Sequence, residues 1–181
     1  MQRRNSTNNL RVQAATLIGL LLSPAGGRSQ VVLNEVLADN RSAVLNGGYF
    51  PDYIELHNPT ASPVNTTGWS LTDDPLLPKK YVFPTGTSVP ANGHLIIWAD
   101  LNFGSPGLHT GFGLGAKGDV VRLYAADGTT LLDQISFGLQ VGDISLGRVP
   151  DGSGAWVANQ PSAGLANTAA MELADQPVVR L

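Results

Sequence analysis

Asp52-Tyr53-Ile54-Glu55-Leu56-His57-Asn58-Pro59 sets the reading of this chain. Ile54 and Leu56 alternate with Tyr53, Glu55 and His57, the period of two that marks a strand with one face toward a core. Asn58-Pro59 ends it, because proline has no N–H to continue a ladder. Working outward, short runs of the same kind recur between turn signals about every 8–12 residues, a spacing that suggests a sandwich or barrel. They cover residues 31–38, 68–73 (Trp69 and Leu71 on one face), 81–83, 94–99, 119–125, Leu131–Phe137, Ser145–Val149 and 155–157. His94-Leu95-Ile96-Ile97-Trp98-Ala99 is apolar on both faces and reads as a central strand. Asp127-Gly128 between two apolar runs predicts a hairpin. Asn46-Gly47-Gly48, Asn92-Gly93 and Asp151-Gly152 are further turns. Residues 100–118 read as a Gly-rich loop holding one strand near 109–114.

Composition agrees with an all-β chain. Only 14% of the 181 residues are charged, and 21 glycines and 12 prolines favour short elements over long amphipathic helices. The first 29 residues stand apart. They hold Arg3, Arg4, Arg11 and Arg28 and no acid, an apolar run over 12–22, then small residues at Ser23, Ala25, Gly26 and Gly27. That pattern predicts a signal peptide, 1–29, and a secreted or cell-surface protein exported through it. The run is too short for a membrane span, which takes about 20 helical residues. With those four arginines gone, seven basic and fourteen acidic residues remain of the chain's eleven and fourteen. Such a surface repels phosphate, which argues against a nucleic-acid partner. Cysteine is absent, so disulfides, thiol catalysis and thiolate metal sites are excluded.

The order of the motifs carries a resemblance. Asp52-Tyr53-Ile54-Glu55-Leu56-His57-Asn58-Pro59 is followed by Gly68-Trp69-Ser70-Leu71, Tyr81-Val82-Phe83-Pro84, and Val89-Pro90-Ala91-Asn92-Gly93 leading to Ile97-Trp98-Ala99. This series resembles the lamin tail domain. Leu33-Asn34-Glu35-Val36, Leu108-His109-Thr110, Ser145-Leu146-Gly147-Arg148-Val149-Pro150-Asp151-Gly152 and Pro161-Ser162-Ala163-Gly164-Leu165-Ala166-Asn167 are similar to its bacterial, exported branch. The resemblance implies an immunoglobulin-like β-sandwich over residues 30–167 that binds or scaffolds at the cell exterior, with an unknown protein or cell-envelope component as partner. An alternative reading is the N-terminal accessory domain of a larger surface protein carrying a hydrolase or spore-coat-type kinase domain. Residues 168–181 read as a linker, in which only 169–175 has a helical pattern. Their apolar close, Gln176-Pro177-Val178-Val179-Arg180-Leu181, is similar to Gln30-Val31-Val32-Leu33-Asn34-Glu35 and is a candidate start of a second repeat. The residues ahead of the domain hold no heptad repeat to build a filament rod.

No catalytic, cofactor-binding or metal-binding residue is assigned from the sequence, and no enzyme activity is expected. Gly113-Leu114-Gly115-Ala116-Lys117-Gly118 has the letters of a nucleotide loop, but a strand follows where a helix N-terminus is needed. Its glycines read as turn-formers. His57, His94 and His109 lack a metal-ligand spacing. His57 and His94 read as strand residues at the surface or sandwich edge, although a site assembled in three dimensions stays open. Ser70, His94 and Asp73 supply the letters of a hydrolytic triad without a nucleophile elbow. Asp39-Asn40, Asp52 with Glu55, and Asp73-Asp74 read as turn caps, with calcium ligation as the alternative. Glu55 and Arg148 are expected to form a partly buried ion pair. Trp69, Trp98, Phe83 and Tyr81 are expected in the core rather than on a sugar-stacking platform; Trp156 is left open.

Overall fold

A computed structural model describes residues 31–168. The signal peptide expected at 1–29, the helical pattern at 169–175 and the apolar close at 176–181 lie outside the described residues.

The described chain is built of strands, with no helix: β1 (Val32–Leu37), β2 (Asp52–Asn58), β3 (Val64–Asn65), β4 (Ser70–Thr72), β5 (Tyr81–Val82), β6 (Ser88–Val89), β7 (Gly93–Ala99), β8 (Leu108–His109), β9 (Asp119–Tyr124), β10 (Leu131–Phe137), β11 (Ser145–Val149) and β12 (Ala155–Asn159). One sheet runs β12-β11-β1-β2-β7-β8 and another β10-β9-β4-β5, while β3 and β6 form a third, two-stranded sheet. Every pairing between the named strands is antiparallel except β7 with β8. The larger sheets face each other as an immunoglobulin-like sandwich. The hairpin expected at Asp127-Gly128 joins β9 to β10. Gly128 sits there at φ +71°, where a side chain would be strained, and Asp127 takes the Thr129 and Thr130 N–H groups at 2.8 Å.

The core between the sheets is apolar. Leu33, Val36, Ile54, Leu56 and Ile97 from the six-stranded sheet meet Leu71, Val121, Leu123, Ile135 and Phe137 from the other, with Phe83 between them. Leu33 and Val36 share this inner face although three residues separate them. A β-bulge makes that possible: Leu33 pairs with Leu56 and Glu35 with Glu55, so Asn34 is an extra residue without an opposite number. The bulge shifts the alternation by one. It turns Glu35 and Leu37 to the outer face and frees Asn34 to reach Glu55.

Sequence periodicity located nine of these strands to within a few residues. Three departures have physical causes. β2 is buried on both faces, not one, because residues 160–167 return across its outer side. β7 is second from the edge rather than central. Its outer face is covered by Val44 and Ala163 instead of by another sheet. The strand expected near 109–114 is only Leu108–His109, while Val64–Asn65 and Ser88–Val89 were not anticipated. Two-residue strands have too few positions to display a period.

Candidate functional site

Exposed apolar side chains gather where two long loops meet. The β1–β2 loop presents Tyr49 and Phe50, and the β7–β8 loop presents Leu101 and Phe103. Leu101 is 72% exposed, Phe103 69% and Tyr49 64%. Tyr49, Phe50, Pro51, Asp100, Leu101 and Asn102 line an open cleft of about 610 Å³. Single exposed apolar residues are ordinary on a soluble protein; a group flanking one cleft marks a contact surface.

Both loops are held from beneath. Asn40 acts as the knot of the first: its side-chain amide donates to the Val44 and Pro51 carbonyls at 2.7 and 2.6 Å, and its oxygen accepts the N–H groups of Ala43 and Val44. Asp143 caps the same loop from the far side, accepting from the Arg41, Ser42 and Ala43 N–H groups and the Ser42 hydroxyl. Those donors hold its carboxyl well below the usual range. In the second loop His109 bridges Asp100 (Nδ1, 2.6 Å) and the Ser105 carbonyl (Nε2, 3.0 Å), while Phe103 packs edge-on against its ring. The Asn46 amide donates to the Pro106 carbonyl at 3.0 Å and joins the two loops. Loops fixed this way lose little freedom when a partner docks.

The outer face of the six-stranded sheet holds a second concentration of polar groups, all covered by residues 160–167. Glu35 accepts from the Ser145 hydroxyl and the Ser162 N–H, and shares the single Ser162 hydroxyl hydrogen with Asn167. Glu55 accepts the Asn34 amide at 3.0 Å and the Gly164 N–H at 2.6 Å. Burial pushes the Glu55 carboxyl up to about 7, against the pull of those two donors and His94. Asn167 closes the strap. It donates through its amide to the Asn34 and Arg148 carbonyls and through its N–H to Asp151, and accepts from Asn159 and Ser162. Gly147 lies beneath it, where a Cβ would come within 2.8 Å of the Asn167 side chain.

Each residue weighed from sequence has a definite place. His57 and His94 are directly opposite on β2 and β7, with ring centroids 4.7 Å apart. His94 Nε2 is 2.9 Å from Asp151, and one possible ligand atom each from His57, His94 and Asp151 lie within 4.8 Å of one another. His109 belongs to the loop end. The triad letters are scattered: Ser70 is buried in the four-stranded sheet, His94 lies in the six-stranded one, and Asp73 pairs with Lys80 at 2.6 Å. The Gly115–Gly118 turn leads into β9, with the Gly115 N–H on Asp119, as turn-formers should. Asp52 takes the Asn40 N–H and Asp74 that of Leu76, so both serve as caps.

The expected Glu55–Arg148 ion pair is not formed. Arg148 points to the opposite side of its sheet, where it meets Asp133 at 3.2 Å, donates to the Leu33 carbonyl and stacks on Trp156. Phe83 is in the core, and Trp69 and Tyr81 are half-buried against it. Trp98 is buried too, but on the outer face with Leu37 and Tyr53. Sequence reasoning missed Tyr49, Phe50, Leu101 and Phe103. Their one signal was an apolar residue inside a turn-rich loop, where no strand face exists to receive it.

No curated protein matches the chain. The family model of the lamin tail domain matches residues 24–138. The fold continues past that span, since β11 pairs with β1 and β12 with β11. With more than half its length matched and an immunoglobulin-like sandwich behind the match, the chain belongs to the lamin tail domain family.

Proposed function

We propose that this protein is a non-catalytic binding module of the cell exterior, secreted or held at the surface, and that the loop end is where it meets a protein or cell-envelope component. Lamin tail domains are interaction modules rather than enzymes, which supports the general reading. The observation that carries the particular one is the cleft between two internally hydrogen-bonded loops, rimmed by Tyr49, Phe50 and Leu101, with exposed Phe103 beside it on the second loop. A rigid apolar surface of this kind suits a partner that buries aromatic anchors. Ser70 and His94, two of the triad letters weighed from the sequence, lie in different sheets.

The test compares wild type with Leu101→Ser/Phe103→Ser in pull-downs from cell-envelope extract of the native host. Leu76→Ser, exposed elsewhere, is the control. The reading expects a retained component that the double variant loses and the control keeps. Equal retention by all three overturns the loop end as the contact. Intact mass of the protein from its host tests export separately: it should lack the first 25 to 29 residues, and a cytoplasmic product beginning at Met1 would refute it.

A further inference from the structure

We propose that His57, His94 and Asp151 form a divalent metal site of the zinc class, with the Glu55 carboxylate beside it. The three come from different segments: His57 from β2, His94 from β7 and Asp151 from the turn between β11 and β12. Pairing of β2 with β7 places the imidazoles opposite each other, and the turn brings the carboxylate over them. Glu55 Oε1 lies 3.9 Å from His94 Nε2, two residues along β2 from His57 and on the same face. Two imidazoles and one or two carboxylates are a donor set that zinc accepts, whereas calcium and magnesium take oxygen ligands.

The geometry needs small adjustments only. Ligands at zinc distances of about 2.0–2.2 Å in a tetrahedron stand about 3.3–3.6 Å apart. The atoms here already lie within 4.8 Å of one another, and one pair is at 2.9 Å, so their separations need to change by about 1.5 Å at most. The site is also ready in a second respect. His57 Nδ1 is buried without a hydrogen-bond partner among the described residues. Asp151 has one oxygen fixed by the Asn167 N–H at 2.9 Å and the other aimed at His94. Glu55 is oriented by Asn34 and Gly164. Such outer partners hold metal ligands in place and tune them. Side chains of His94 and Asp151 remain 10% and 14% exposed, which leaves an entry path.

The role that follows is a clamp. A bound ion would join β2, β7 and the β11–β12 turn, and through Asp151 and Asn167 it would fasten the strap as well. This goes beyond the loop-end reading and is independent of it, because the site is formed by other segments than Tyr49, Phe50, Leu101 and Phe103.

The chain has three histidines, which makes the test direct. Untagged, chelator-treated protein is titrated with zinc by calorimetry at pH 7.5, with thermal melts alongside. The expectation is one ion per chain, a raised melting temperature, and shifts of the His57 and His94 ring resonances with His109 unmoved. His57→Gln, His94→Gln and Asp151→Asn should each weaken binding about tenfold or more, as loss of a ligand does at least as severely as loss of an outer partner. Asp151→Asn keeps a hydrogen-bonding oxygen at the turn and guards against a folding artefact. His109→Gln should bind as wild type. Absence of saturable binding, or binding that survives in all three ligand variants, overturns the proposal.

Discussion

The middle of the six-stranded sheet, β1 and β2, is buried on both faces, and the two faces are covered by different means. Its inner face meets the second sheet through aliphatic and aromatic side chains, with Leu33, Ile54, Leu56 and Ile97 meeting Leu71, Val121 and Leu123. Its outer face has no sheet to meet. Residues 160–167 cross it in a strap, and Glu35, Glu55, Asn34 and Asn167 there are satisfied by backbone and side-chain donors, beside a small cluster of Leu37, Tyr53 and Trp98. One face gains mainly from area removed from water, which is non-directional. The other depends on groups that must each find a partner, because an unmatched buried polar group is costly. The inner face should therefore tolerate repacking, while the outer face should fail at single atoms.

Large-to-small substitution gives the largest expected effect. Phe83→Ala on the inner side should cost about 3–5 kcal/mol, a large share of the 5–15 typical of a domain. Trp98→Ala should fall near the low end of that range, about 3 kcal/mol, since its cluster is small and the ring keeps 9% exposure. Urea midpoints report both. An unchanged midpoint for Trp98→Ala would make the outer cluster decorative and would break the comparison.

A smaller effect separates the two faces more sharply. Asn167→Ala removes few methylenes but leaves the Asn159 amide and two backbone carbonyls short of a partner, while Ser162 keeps Glu35. Loss of such buried bonds should cost about 1–3 kcal/mol. Leu165→Ala, on the same strap but exposed, should change stability by less than about 0.5 kcal/mol. Amide exchange at Ser162 and Gly164 should quicken in Asn167→Ala before the amides of β1 and β2 respond. Simultaneous loss across all of them would mean that strap and sheet open as one unit.

The inner face was legible in the sequence and the outer face largely was not. Alternation of Ile54 with Tyr53 and Glu55 located β2 and its core side, because a period of two is a property of neighbours along the chain. The same pattern set Glu55 and His57 on the face away from the core, with Glu55 expected to pair with Arg148 and His57 to lie at the surface or sandwich edge. What covers them lies far along the chain, at Gly164, 109 positions from Glu55, and at Asp151 beyond β11. No local signal reports so distant a partner. The bulge at Asn34 was hidden for a related reason, since an extra residue shows only against the strand it fails to match. His57 and His94 looked unrelated at a separation of thirty-seven positions until strand register set them side by side. Arg148 was assigned to Glu55 by charge alone, and alternation along β11 sends it to the other face.

The smallest predicted effect concerns Asp52, a carboxylate at the margin of the inner face. Its oxygen accepts the Asn40 N–H at 3.0 Å, and pairing with Ala99 places it at the end of β2. Burial raises its carboxyl to about 6; the Asn40 donor opposes that shift and the Asp39 charge adds to it. A carboxyl whose folded value lies above its unfolded one favours the folded state when protonated. That contribution is complete below about 3.9, the ordinary aspartate value, and is lost as pH rises through about 6. Asp52→Asn cannot ionise, so it keeps a constant contribution across this range. The stability of the variant relative to wild type should therefore rise between pH 4 and pH 6.5 and stay level above it. The part of the carboxyl that still meets water reduces the change to on the order of 1 kcal/mol. Any fixed cost of the amide, such as a weaker bond to Asn40, offsets the whole curve without altering its slope. Urea midpoints of both proteins at half-unit pH intervals measure it. A difference that stays flat from pH 4 to 6.5 would show that water reaches Asp52, and that the inner face ends before β2 does.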